Sequence, residues 1–154
     1  MKKIITLLLF SAILSFSLQA QKGFKIVDAT EMKWAGGMQQ SGHGTIYSLR
    51  IVLLTSNKIS FDDLWVGKTY TAKQGVFFDP KKKHEPTKGD TISVSFALNT
   101  IPPRNQAEET AVKPAAKAAP CDYKGAALLG YKTGRKEQYK VVSKFRQLPP
   151  ANYP

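Results

Sequence analysis

The feature that most constrains this chain is strict two-residue alternation. In Thr45–Thr55, Tyr47, Leu49, Ile51 and Leu53 alternate with Ser48, Arg50 and Val52. In Thr91–Leu98, Ile92, Val94, Phe96 and Leu98 alternate with Thr91, Ser93, Ser95 and Ala97. Side chains on a strand point to opposite faces in turn, so each segment predicts a strand with one apolar face. Shorter stretches at Gly23–Ala29, Glu31–Ala35, Gly67–Ala72, Gly75–Phe78 and Ala126–Lys132 read as further strands. Between Glu31–Ala35 and Thr45 lies a loop with four glycines in the nine residues Gly36–Gly44, which cannot hold a regular element because glycine loses the most backbone entropy on ordering. Lys88-Gly89-Asp90 is a tripeptide known from adhesive ligands, but here it reads as the tight turn that opens Thr91–Leu98.

Two strands carry a complication. Ile59–Val66 places Ile59, Phe61 and Trp65 on one face, but Asp63 falls on that face too. A bulge at Asp62-Asp63, or a face that is only partly buried, resolves the conflict. Gln138–Leu148 places Tyr139, Val141 and Phe145 on one face. Lys136, Gln138, Lys140, Val142, Lys144 and Arg146 fall on the other, so the alternation predicts a basic, solvent-facing surface.

Asn99–Pro120 is rich in alanine and is bracketed by Pro102, Pro103, Pro114 and Pro120. Asn105 and Glu108 have capping-box spacing, enough for a weak turn of helix before Pro114 stops it. The segment resembles an interdomain linker in composition, yet only one hairpin follows it. A lone hairpin is marginal in water, so that hairpin must pair with the preceding sheets. Residues 21–154 are therefore expected to form a single domain with a long Pro/Ala-rich loop at 99–120. Seven or eight short strands with turn signals between them predict an all-β, antiparallel β-sandwich of immunoglobulin-like architecture, with a small β-barrel as the alternative. Cys121 is the only cysteine, so the Cys…Trp…Cys signature of true immunoglobulin domains is absent and the likeness is architectural. Cys121 itself reads as a small semi-buried residue. The tail Leu148–Pro154 cannot form a ladder strand through its prolines, though Tyr153 could dock it.

Met1–Ala20 has another character. Lys2 and Lys3 precede an apolar run from Ile4 to Leu18, and Leu18-Gln19-Ala20 ends on a small residue. A basic start, a short apolar stretch and a small-residue end make a cleavable signal peptide helix. The run is too short to span a bilayer comfortably, so no transmembrane span is expected after cleavage. The expected location is outside the cytoplasm, periplasmic or extracellular. Cleavage after Ala20 leaves 134 of the 154 residues and removes two of the 23 basic residues and none of the 11 acidic ones. The remaining chain carries a formal charge of +10. Such a balance favours anionic partners and is silent about fold.

Two constellations are candidate sites. The first is basic: Lys81, Lys82 and Lys83 on a loop, with Lys140, Lys144 and Arg146 on the last strand, could displace counterions from an anionic polymer. Alternate strand residues lie about 6.6 Å apart, close to every second phosphate of a nucleic-acid strand. The bland reading is that edge lysines prevent pairing with another molecule. The second is a pocket where Trp34, Ser41 and His43 meet at the glycine loop. Ser41 and His43 have no nucleophile–base geometry by sequence, and Gln39–His43 lacks the first glycine of a nucleophile elbow. No catalytic residue, metal ligand or cofactor is assigned. His43, His84 and Cys121 have no ligand spacing. The expected function is an exported, non-enzymatic binding or structural component of the cell envelope, its partner an envelope protein or an anionic polymer. A polyanion binder using the basic strand, and a small hydrolase or metal-dependent enzyme centred on the glycine loop, are the alternatives.

Overall fold

The computed structural model describes residues 23–37, 42–67, 69–78, 85–100 and 117–153. The signal-peptide, Lys81–Lys83 and Ser41 expectations, and the capped helix near Asn105, lie outside those residues.

The described residues form strands β1 (Phe24–Gly36), β2 (His43–Leu53), β3 (Ile59–Val66), β4 (Thr69–Phe78), β5 (Thr91–Thr100), β6 (Ala127–Thr133), β7 (Lys136–Val142), β8 (Arg146–Gln147) and β9 (Ala151–Tyr153), with no helix among them. They pair in the order β7-β6-β3-β4-β5-β2-β1-β8, with β9 also on β1. Two sheets arise because β4 belongs to both. Its first residues pair with β3 (Trp65↔Tyr70) and its later ones with β5 (Val76↔Val94), and the register shifts between Lys73 and Gly75 where it crosses over. Gly67–Ala72 and Gly75–Phe78 are thus halves of one strand rather than two strands. The same holds for Gly23–Ala29 and Glu31–Ala35, which are one strand with a bulge at Val27, between the Ile26↔Ile51 and Asp28↔Arg50 pairs. The result is an all-β, mostly antiparallel, sandwich-like arrangement.

The strongest alternations hold. Tyr47, Leu49, Ile51 and Leu53 are buried, and Tyr47↔Phe96, Leu49↔Val94 and Ile51↔Ile92 are cross-strand partners between β2 and β5. On the opposite face of the same pair, the Ser48 and Ser95 hydroxyls meet at 3.1 Å. Leu98 departs from the pattern: it is 36% exposed near the end of β5. The core between the sheets is filled by these residues with Phe24, Phe61, Leu64, Ala127, Leu129, Tyr131 and Val142. Phe24 sits edge-on to both Phe61 (5.0 Å) and Tyr131 (4.8 Å), the favoured geometry for aromatic pairs.

The bulge expected at Asp62-Asp63 is present, with a register shift between Phe61 and Asp63 against β6. Its consequence reaches beyond one residue. Phe61 and Leu64 face the core, whereas Asp63 and Trp65 turn to the outer face, so Trp65 does not share a face with Phe61. Trp65 is nonetheless 1% exposed. It lies over Gly130, where a Cβ would come within 3.0 Å of its ring. Tyr70 (5.8 Å) and Tyr139 (5.9 Å) flank it.

The end of the Pro/Ala-rich segment closes over this second cluster. Trp65 Nε1 donates to the Lys117 carbonyl at 2.9 Å, and the Tyr123 hydroxyl donates to the Trp65 and Gly67 carbonyls at 3.0 Å each. Asp63 accepts from the Tyr70 hydroxyl (2.7 Å) and from Lys117 Nζ (2.9 Å). Cys121, in the same stretch, is exposed rather than semi-buried.

The hairpin β6–β7 pairs with β3, as the marginal stability of a lone hairpin requires. The strand expected to run to Leu148, however, ends at Val142. The chain then crosses from one sheet to the other, and β8 pairs with β1 in parallel (Thr30↔Arg146). The tail follows it: β9 pairs with Trp34–Gly36, so Pro149 and Pro150 sit between two ladder segments rather than preventing one. Among the described residues no helix is long and apolar enough to cross a membrane.

Candidate functional site

The two sheets do not close on each other at β1 and β7. β7 pairs with β6 alone, and β1 between Phe24 and Ala29 pairs with β2 alone among the described residues. Between these two edges lies a cleft of about 590 Å³. One wall is Lys25–Ala29 of β1. The other is Lys140–Val142 of β7 and the crossover Ser143–Phe145, and Arg146, at the start of β8 beside β1, closes the end between them.

The cleft gathers cations from β1 and from residues 140–146. Lys25, Lys140, Lys144 and Arg146 line it, against a single carboxylate, Asp28, among the described lining residues. Asp28 is already engaged by Arg146 at 2.7 Å. That pair is exposed enough to contribute about 1 kcal/mol at most, and it sits at the end of the cleft where β8 joins β1. Lys140 spans the cleft: its Nζ donates to the Phe24 carbonyl at 3.2 Å and lies 4.8 Å above the Phe24 ring. Loss of hydration in that position pushes the Lys140 ammonium below its ordinary pKa of 10.5. The walls also hold apolar side chains that water still reaches: Val27 and Val141 are each 42% exposed.

The placement of Lys140 corrects the sequence reading of the last strand. The inward face of β7 is Gln138, Lys140 and Val142, and Val142 is 3% exposed in the core. Tyr139 and Val141 face outward, at 38% and 42% exposure. The reason lies in β3. Its bulge turns Trp65 outward, and Trp65 draws Tyr139 to the outer face with it. The inward polar residues of this edge strand are satisfied locally, Gln138 by the Tyr131 hydroxyl at 3.1 Å and Lys140 by Phe24. Lys140, Lys144 and Arg146 therefore do not form one flat basic face. They line one cleft, brought round by the strand end at Val142.

Lys25 and Val27 were not singled out by their sequence context. A lone lysine in Phe24–Asp28 carries no local signal, because its partners lie more than a hundred residues away.

The glycine-loop region is built differently. Trp34 pairs with Gly44 across β1 and β2, and Ala35 with His43. Trp34 is half-buried and its Nε1 donates to Asn99 Oδ1 at 3.2 Å. Gly44 is required by close approach: a Cβ there would overlap the Leu98 carbonyl oxygen and crowd the Trp34 ring nitrogen. His43 is exposed at the start of β2. Trp34 and His43 thus lie on neighbouring strand ends, one residue out of register, and Ser41 lies outside the described residues. Among the described residues no group of three His, Cys, Asp or Glu side chains gathers as a metal ion would need.

Comparison with protein-family models, with curated proteins and with solved structures finds no match for this chain.

Proposed function

We propose that this is an exported, non-enzymatic binding protein of the cell envelope, and that its β1–β7 cleft receives an anionic ligand. One observation carries the reading: four cationic side chains, one at residue 25 and three from residues 140–146, surround one cleft whose sole described carboxylate is already paired. Such convergence raises the local concentration of anions and favours their charge-assisted hydrogen bonds. Export rests on the basic, apolar and small-residue order of Met1–Ala20, read as a signal peptide helix.

We further propose that the fold is immunoglobulin-like. The orders β1-β2-β5-β4 and β7-β6-β3 support this, since they are the positions of the A-B-E-D and G-F-C sheets of such a sandwich. The cleft between β1 and β7 favours a sandwich over the small barrel, because a barrel would pair its first and last strands there.

The test is binding of polyphosphate, heparin and polyglutamate to the purified protein at 50 and 200 mM salt. A Lys25→Glu/Lys144→Glu variant is measured beside it; both residues are exposed, so the fold tolerates the change. With three cations engaged, polyphosphate affinity is expected to fall about 20-fold across that salt range and to be lost in the variant. Binding that ignores the two substitutions, or no binding of any probe, overturns the reading.

A further inference from the structure

The cleft is bounded by backbone as well as by charge. On β1, Lys25–Ala29 lie before the residues that β8 and β9 pair, and β7 has β6 as its only partner among the described residues. Each edge turns alternate amide N–H and C=O groups toward the gap. Here the bulge at Val27 bends the edge, and Lys25, Lys140 and Lys144 guard it, which is how sheets avoid promiscuous pairing. The guards, however, are all of one sign. They repel a basic strand and attract an acidic one. Val27 and Val141 offer solvent-reached apolar surface within the same cleft.

Resting on the reading of the cleft as an anion site, we propose that its partner is an extended acidic polypeptide segment, which adds as a strand along the free edge of β1 or β7. Its backbone meets the edge amides that face no other strand among the described residues. Alternating side chains then serve both chemistries: acidic residues reach Lys25, Lys140 and Lys144, while apolar residues cover Val27 and Val141. Along β7 a strand's period of two supplies this division, because Lys140 and Val141 are consecutive and turn to opposite faces. A nucleic acid or acidic polysaccharide could use the lysines but has no amide ladder to offer the edges and no apolar side chains for the valines.

The probe is a fluorescein-labelled nine-residue peptide of alternating valine and glutamate, titrated into the purified protein by fluorescence polarisation. The controls are the same peptide N-methylated at alternate amides, in each of the two frames, and polyphosphate. Methylation keeps charge and side chains but removes backbone donors. The peptide is expected to bind, to weaken at least tenfold when one of the two frames is methylated, and to weaken at least tenfold in the Lys25→Glu/Lys144→Glu variant. Amide hydrogen exchange should slow at residues 25–29 or 139–143 on binding. Equal binding by the methylated peptides overturns strand addition. Polyphosphate binding that depends on Lys25 and Lys144, with no peptide binding, overturns the acidic polypeptide as partner and leaves the anion site standing. No binding of either probe overturns both.

Discussion

At the scale of single residues, Lys140 shows how a group's neighbours outweigh its type. A lysine on an edge strand is ordinarily a solvated guard, yet this one is half-buried against the Phe24 ring with its ammonium on the Phe24 carbonyl. Its folded pKa lies below 10.5, so the folded protein sheds this proton before the unfolded chain does. The charged form costs stability below that folded value, and stability is regained as pH rises from there toward 10.5. Lys140→Met keeps the stem over the ring and removes the cost. It is expected to change stability by less than about 1 kcal/mol in urea unfolding while weakening polyphosphate binding. Tyr70 behaves in the opposite sense. Its hydrogen bond to Asp63 holds the hydroxyl above 10.0, so its contribution is intact below pH 10 and is lost as pH climbs through the folded value. Lys117, raised chiefly by the same carboxylate, has the same sign. Tyr70→Phe should therefore flatten the loss of stability above pH 10. Asp63→Asn, which leaves both donors with a weaker acceptor, should lower stability by about 1–3 kcal/mol at neutral pH. Both are read from the urea midpoint as a function of pH.

At the scale of elements, the informative strands are those where a bulge overrides the simple alternation. In β3 the extra residue near Asp62 sends Trp65 outward and Leu64 inward, and β7 follows by turning Tyr139 outward and Val142 inward. The two valines of β7 test this. Val142→Ala removes a core side chain and should cost about 2 kcal/mol, whereas Val141→Thr, on the outward face, should cost about 0.5 kcal/mol. A reversed order would mean that Tyr139 and Val141 face the core. In β2, Gly44 is held not by a left-handed backbone but by the carbonyl of Leu98 beside it. Gly44→Ala should push β2 from β5 at that end and cost about 1–3 kcal/mol, with the loss of exchange protection confined to residues 43–46 and 97–100.

At the scale of the whole molecule, the first described strand meets the last two. β1 and β8 pair residues as far apart as Thr30 and Arg146, and the Phe145 ring packs at 5.1 Å on Tyr47. Truncation after Ser143 removes that ring, the Asp28–Arg146 pair and both parallel ladders on β1. Faster amide exchange at residues 30–36 is expected, together with a lower urea midpoint and loss of part of the cleft wall. The sequence alone settled the class of structure. Alternation in Thr45–Thr55 and Thr91–Leu98 named the core residues of β2 and, save for the exposed Leu98, of β5, since a strand's period follows from local backbone geometry and needs no partner. The turn at Lys88-Gly89-Asp90 and the conflict at Asp63 were legible for the same local reason. Tertiary structure alone decided the rest. The inward face of β7 depends on where Trp65 goes. The break after Val142 depends on a free β1 edge to receive Arg146. The cleft exists because Lys25 and Lys140, 115 positions apart in the numbering, come to lie on opposing edges. Local preferences act over a few residues. Which edges face each other is set by the packing of two sheets around one core, and no short window of sequence contains that information.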